Sequence, residues 1–525
     1  MTTETKERRH LPKLCGADVE LGNFILGLER AGGTGEEASR ALLREIEGLP
    51  RERTPISSSG RVLMSPRDWG RRFLPSNGGC VYIDLDHLEI CLPEVLSAYD
   101  HVASWRAMLQ VARRAMEAAN QKLPEGQKLE VLVNNSDGRG NSYGSHLNFL
   151  ITRACWENLF HRKMHYLLYL AAYQVSSIVF AGQGKVGSED GPPVAFQLSQ
   201  RADFFERITG VQTTFDRPLV NSRDEALCGN KTRSTAASEM ARLHVIFYDS
   251  NLCQAASLLK VGVMQLVLTM LEADQINPGL ILEDPLEAVV RWSRDPALET
   301  RVTLASGKEL TAVEMQISFL EDAKRFAESG RFEGVVPRAG EILALWEDTL
   351  LKLEARDLDA LAPRLDWVLK LWILERALRE RRDLDWEAAE MKHLDQLYAS
   401  LDVEEGLFWA YERSGSVEQV VDDETVARFV QEPPEDTRAW ARAHLLRSAG
   451  PERVESVDWD AISFRGQCRH FSEASVVDLG NPLAFTREET GSLLREASLE
   501  TILQAFDARR RERPRGIGAL KGGLS

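Results

Sequence analysis

Two short stretches place aliphatic side chains on one face of a strand and acids on the other. That double demand restricts the chain to a sheet with one buried and one polar face. In "CVYIDLDHLEICLPE", residues 80–94, alternation sets Val81, Ile83 and Leu85 against Tyr82, Asp84 and Asp86, with Glu89 and Glu94 following. Near the start, Asp18 and Glu20 share one face while Val19 and Leu21 share the other. The acidic face suits a site that holds a cation or handles protons. A half-exposed strand whose acids are merely solvated has the same pattern, and on alternation alone both readings stand.

Further strands are expected at 129–135, "LEVLVNN", ahead of the loop "SDGRGNSYGS", and at 242–250, with His244, Ile246 and Tyr248 on one face. Residues 301–310 read as a hairpin turning at Ser306-Gly307. A helix flanked by loops is expected within 31–60 and an amphipathic one at 100–120. The run "YLLYLAAYQVSSIVFA", 166–181, contains Gln174 and falls short of the ~20 apolar residues of a membrane span, so it reads as a buried core helix. From about 311 to 415 the period becomes helical, with Leu365, Val368, Leu369 and Ile373 on one stripe. Strands in the first half and helices in the second predict an α+β fold, a largely antiparallel sheet backed by helices. A double proline precedes a helix at 432–449, and "AISF" reads as a strand in a smaller C-terminal unit. The expected division is a catalytic domain over 1–418, a small domain over 419–510 and a basic disordered tail over 511–525.

The formal net charge of −16 argues against a general nucleic-acid binder. Seven cysteines, none spaced as zinc ligands, suit a reduced cytoplasmic protein. The basic start "MTTETKERRHLPK" lacks the apolar core of a secretory signal. The acids Asp18, Glu20, Asp84, Asp86, Glu89 and Glu94 are of the type that holds Mg²⁺, a hard cation that takes oxygen ligands and substrate phosphates. Arg201 in "FQLSQRADFFE" and Arg223 in "RPLVNSRDE" offer the guanidinium fork that suits phosphate. His146 and His244 lie on or beside strands, where a lone histidine is more often structural. "GQGKVG", 182–187, lacks the phosphate-loop pattern and reads as a turn.

The succession is more specific than any part. "DVELG", "NGGCVYID", "NNSDGRGNSYGSHLNFL", "GQGKVG", "FQLSQRADFFE", "RPLVNSRDE" and "RLHVIFYDSNL" occur in that order. From about residue 16 to 465 the chain resembles the family containing the ligase of the prokaryotic ubiquitin-like protein Pup and the deamidase/depupylase that reverses it. The resemblance implies a glutamine-synthetase-like cupped sheet of the carboxylate–amine ligase type, with ATP or ADP and Mg²⁺ as cofactors. It places Asp84 at the catalytic aspartate, Asp18, Glu20, Tyr82, Glu89 and His244 at the metal, and Arg201, Arg223, His146 and His244 at the nucleotide. Two positions depart from the family pattern. Position 18 is Asp in place of Glu, and "His-Glu-Asn" has become His146-Leu147-Asn148, which reads as the loss of an acid near the cation, with Asp86 as a candidate replacement ligand.

The second half, with "RADFFE", "SRDPALETRVTLASGKELTA" and "PPEDTRAW", looks closer to the deamidase/depupylase branch. The segment 31–76 is of moderate length where that branch has a long insert, and "IDLDHLEICLPE" replaces the usual text of both branches, so the chain reads as a divergent branch closer to the deamidase/depupylase in its second half. The expected function is therefore hydrolysis of the amide or isopeptide at the C-terminal Gln or Glu side chain of a Pup-like modifier. A ligase joining that modifier to target lysines through an acyl phosphate is the alternative. An inactive nucleotide-binding protein that recognises the modifier, favoured by Leu147, is a second. Expected partners are the modifier, its conjugates and a proteasome system, with neither nucleic acid nor membrane.

Overall fold

The computed structural model describes residues 11–28, 33–50, 69–189, 191–225, 227, 239–465 and 475–512. An eight-stranded sheet organises them. Its strands are β1 (Cys15–Leu26), β2 (Leu49–Pro50), β3 (Trp69–Phe73), β4 (Cys80–Asp84), β5 (His87–Cys91), β6 (Lys128–Leu132), β7 (Ser145–Thr152) and β8 (Met240–Val245). They run in the order β8-β7-β1-β5-β4-β3-β2, and β6 pairs with the second half of β1. Every pairing in this sheet is antiparallel. The expected α+β class is the one the chain adopts.

The stretch 80–94 is a hairpin, not one strand. The chain reverses at Leu85-Asp86, where Leu85 takes φ +45° and Asp84 pairs with His87. A two-residue connection with positive φ matches the twist of the flanking strands, and nothing in Leu-Asp advertises it. The Asp86 carbonyl accepts from Asn23 Nδ2 at 3.1 Å, and the same amide donates to Gly35 O at 2.9 Å, tying the turn to β1 and to helix α1 (Gly35–Glu45). Other boundaries shift for simpler reasons: β6 stops at Leu132 and β8 at Val245, short of the expected 135 and 250. The expected hairpin at 301–310 forms between Val302–Thr303 and Glu309–Leu310, with Gly307 at φ +83°.

The aliphatic face of the sheet packs on α1, α2 (Ala98–Asn120) and the helix Gln254–Glu272 in one large core. Val19, Leu21, Val81, Ile83, Leu88, Ile90, Leu147 and Phe149 belong to it. The segments Met164–Ala181 and Gln254–Glu272 are long and apolar enough to cross a membrane, yet 83% and 100% of them is buried inside the fold. The first breaks at Ser177 into Met164–Ser176 and Ile178–Ala181.

A second core joins Trp440, Leu445, Ile462, Phe464 and Ile502 to Phe73, Cys80 and Cys91 of the sheet. It contains the helix Arg438–Ala449 and the three-stranded sheet Val454–Val457, Ala461–Phe464 and Ser475–Asp478. The helix Asp423–Gln431 still belongs to the large core through Val426, Phe429 and Val430. Packing therefore changes between Val430 and Trp440, later than the expected 418. The final helix Leu499–Glu512 runs two residues into the expected tail, and the rest of that tail lies outside the described residues. So do residues 51–68, within the 31–76 segment.

Glu94 fastens the second unit to the sheet. It accepts from Arg438 Nε at 2.7 Å and from Arg442 at 2.6 Å and 3.1 Å. Arg442 also donates to the Gly78 carbonyl at 2.8 Å. Gly78 sits at φ +77°, and a Cβ there would lie 3.0 Å from the Ala439 carbonyl, so glycine lets the helix approach. Burial opposes ionisation of Glu94, but the charges of Arg442 and Arg438 overcome it and hold the carboxyl at about 2.

Candidate active site

The polar face of the sheet floors a cavity of about 670 Å³, with Arg438, Asp458, Trp459 and Pro482 of the second unit on its wall. Register lines the acids up in rows. Glu20 lies opposite Glu89, and Glu89 opposite Tyr82. Asp18 lies opposite His146, and His244 opposite Asn148. Asp18, Tyr82, Asp84, Glu89, His146, Arg223 and His244 all line the cavity.

Glu20, Asp84 and Glu89 bring carboxylate oxygens within 4.8 Å of one another. Glu89 is 3% exposed and accepts from Tyr82 Oη at 2.7 Å. Burial first, then the charges of Asp18 and Glu20, push its carboxyl well above the usual range. Burial, with the charge of Glu89, raises the Tyr82 phenol likewise. Like charges directly opposite on a sheet are destabilising, and a hard cation coordinated by these oxygens removes that penalty. The donor set therefore fits Mg²⁺, with Glu20, Asp84 and Glu89 as the residues that would hold it.

A second network lies across β1, β7 and β8. The Asp18 carboxylate accepts from His146 Nδ1 at 3.1 Å and from Asn148 Nδ2 at 2.5 Å. Asn148 Oδ1 in turn accepts from His244 Nδ1 at 2.9 Å and Arg242 at 2.8 Å. Burial would raise the Asp18 carboxyl, yet the hydrogen bond and charge of His146, with His244 and Arg242, hold it well below the ordinary carboxylate range. Burial, then the neighbouring His146, pushes the His244 imidazole well below its usual range.

Arg201 stands apart from the cavity lining. It is fully buried, one Nη reaches the Tyr248 carbonyl at 3.4 Å, and its Nε and other Nη have no hydrogen-bond partner. Burial, then the charge of Arg217, lowers its guanidinium to about 9. A buried cation with unpaired donors is costly; the acids whose charges offset that of Arg201 are Asp249 and Glu20. Arg223 is at the cavity itself, its backbone N donating to Asn221 Oδ1 at 2.9 Å.

Three candidates leave the site. Asp86 is exposed at the hairpin tip beside Gly35 and is not among the lining residues, because the turn removes it from the alternation. Glu94 touches the cavity, but its charge is taken by Arg438 and Arg442. Leu147 is 1% exposed in the large core, on the face opposite His146 and Asn148. A leucine there costs the cation site no oxygen; its burial contributes roughly 1.5–3 kcal/mol to the fold. Residues not singled out in the sequence also line the cavity: Arg71, whose guanidinium lies 4.6 Å above the Tyr82 ring, Asn148, Arg242 and Trp459. Period-two alternation from His146 and His244 identifies Asn148 and Arg242. Arg71 and Trp459 carry no local signal.

Comparison with known proteins identifies the family. The family model described as Pup-ligase protein matches residues 37–463. A depupylase of Acidothermus cellulolyticus is 35% identical over 441 residues, 82% of each chain. A Pup–protein ligase of Acidimicrobium ferrooxidans is 36% identical over 434 residues, 81% of this chain and 90% of that one. The structure of the Pup ligase PafA in complex with ADP matches with a TM-score of 0.71 at 25% identity, covering 85% of this chain and 91% of that one. The ordered motifs, the antiparallel sheet and these matches agree: the chain belongs to the Pup-ligase protein family.

Proposed function

We propose that this protein is a cytoplasmic, nucleotide- and Mg²⁺-dependent enzyme that hydrolyses the amide or isopeptide at the C-terminal Gln or Glu side chain of a Pup-like modifier. The observation that carries the reading is the Asp84 carboxylate, held at the cavity with Glu20 and Glu89 and beside Tyr82. Asp84 serves as base toward the water that adds to the side-chain carbonyl carbon, or attacks that carbon itself to give an anhydride that water then opens, returning Asp84 as the free carboxylate. The C–N bond breaks, the amine departs with a proton, and the modifier keeps the new carboxylate. Arg223, at the cavity, holds the anionic groups of nucleotide or substrate, and Glu20 and Glu89 hold the cation. When bound, Mg²⁺ supplies the positive charge that lets carboxylates and phosphate oxygens share one site. Partners under this reading are the modifier, its conjugated targets and a proteasome system.

A ligase remains the second reading, favoured by the 36% identity to the Acidimicrobium ligase over 90% of that chain. The motifs of the second half favour hydrolysis over it. The reading as an inactive binder loses its reason, since residue 147 faces the core.

The test supplies ATP or ADP with Mg²⁺ to the protein, a modifier ending in Gln, and a modifier–lysine conjugate. Ammonia and free modifier are expected without net nucleotide consumption. Conjugation of a Glu-ended modifier to lysine, with stoichiometric ATP cleavage and no hydrolysis, would assign the ligase direction.

A further inference from the structure

We infer that a second cavity, at the junction of the two units, binds a small organic anion: a carboxylate or phosphate on an apolar body, held by the Trp440 indole N–H and the Arg495 guanidinium. The cavity measures about 510 Å³, within the usual range of small-molecule sites. Asp100, Arg428 and Phe429 wall it from the large core, and Trp440, His444 and Arg495 from the second unit. Pro433 and Pro434 of the connecting segment lie between them and, with Phe429 and the indole, offer surface for an apolar body. None of these residues lines the catalytic cavity. The helix Arg438–Ala449 serves both spaces, through Arg438 in one and Trp440 in the other.

Trp440 is 3% exposed, yet its indole N–H donates to no atom of the protein. A buried donor left unpaired is costly, and an acceptor in the cavity removes that cost. Its ring is held in place by the His444 ring, centroids 3.9 Å apart, while Arg487 and Arg495 lie over it at 5.6 Å and 5.7 Å. Four arginines and four acids face the space. Two pairs are closed, Arg447 with Glu432 at 3.0 Å and Arg487 with Glu435 at 2.5 Å. Arg428 and Arg495 remain against Asp100 and Asp436. Burial, then the charge of Asp100, pushes the Asp436 carboxyl up to about 6, and burial raises Asp100 as well. The space therefore gains net positive charge as pH falls through 6, and an anion is held more tightly on the acid side. His444, lowered by burial, adds its charge only at lower pH still.

Binding here is independent of the proposed function, and the test uses the whole chain without nucleotide, Mg²⁺ or modifier. Benzoate and phenyl phosphate are the probes, with inorganic phosphate as the bare oxyanion. Calorimetry at pH 5.5 should show one site per chain for an organic probe, with weaker binding of inorganic phosphate. Nitrogen-15 spectra of the indoles should show one N–H moving, the one missing from Trp440→Phe. Trp440→Phe and Arg495→Gln should each weaken binding by about tenfold or more, the loss of one hydrogen bond to a charged group. Wild type should bind less tightly at pH 8, and Asp436→Asn should remove that difference. Arg223→Gln, in the catalytic cavity, should leave binding unchanged. Arg495 is exposed, so Arg495→Gln decides the matter if Trp440→Phe does not fold. No binding of any probe, movement of a different indole, unchanged affinity in Arg495→Gln or loss in Arg223→Gln would overturn the inference. Inorganic phosphate binding as tightly as the organic probes would overturn the assignment of an organic anion.

Discussion

Glu89 and Glu94 come from the same stretch of sequence, and both are buried, at 3% and 7% exposure. Their chemistry is opposite. Glu94 meets two arginines and is held at about 2, while Glu89 meets other acids and a tyrosine and is pushed well up. Among the described residues no lysine or arginine pairs with Glu89, whereas Arg438 and Arg442 close on Glu94 at 2.7 Å and 2.6 Å. A buried acid needs a positive partner. Where the fold supplies one, the acid fastens two units together. Where it does not, the acid is left for a ligand to complete.

The largest expected contrast lies between Asp84 and Glu94. Asp84→Asn should lower turnover by about 10²–10⁴-fold while leaving thermal unfolding and nucleotide affinity nearly unchanged. A large stability loss with intact turnover would place Asp84 with Glu94 as a structural acid. Glu94→Gln should show the reverse pattern. Removing one partner of a buried ion pair costs about 3–5 kcal/mol, read as a fall in the urea midpoint, because Arg438 and Arg442 lose their counter-charge.

Acid sharpens the same comparison. The Glu94 carboxyl is lowered on folding, so its stabilisation is complete above the unfolded value near 4.5 and is lost as pH falls through about 2. A shift of that size corresponds to roughly 3 kcal/mol. Urea unfolding at pH 5 and pH 3 should show wild type losing more stability than Glu94→Gln over that window; parallel losses would remove Glu94 from the account. The smallest effect is expected at Glu89→Gln. Removing a repelled charge should leave the cation-free protein as stable as wild type, within about 1 kcal/mol, or slightly more so. Added Mg²⁺ should then raise the melting temperature of wild type but not of this variant.

Much of the site was legible because strand alternation is a local rule. It paired Asp18 with Glu20 and Tyr82 with Asp84, and the structure keeps each pair on the cavity side. The same rule shows residue 147 facing away from residues 146 and 148. Treating Leu147 as a lost ligand let the motif outweigh the pleat. Asp86 failed for another reason: Leu85 adopts positive φ without the glycine or asparagine that normally signals it.

What the sequence by itself determined is the class of fold, the succession of family motifs and the two-faced strands, since each depends on residues close together along the chain. The tertiary structure alone decided which acids share a site. Arg438 and Arg442 reach Glu94 from the far end of the chain. Arg201 is fully buried with two nitrogens unpaired. The physical reason is that a carboxylate's state is set by the charges and solvent around it, and those neighbours are brought together only when β1, β5, β7 and β8 pair and the second unit closes over them.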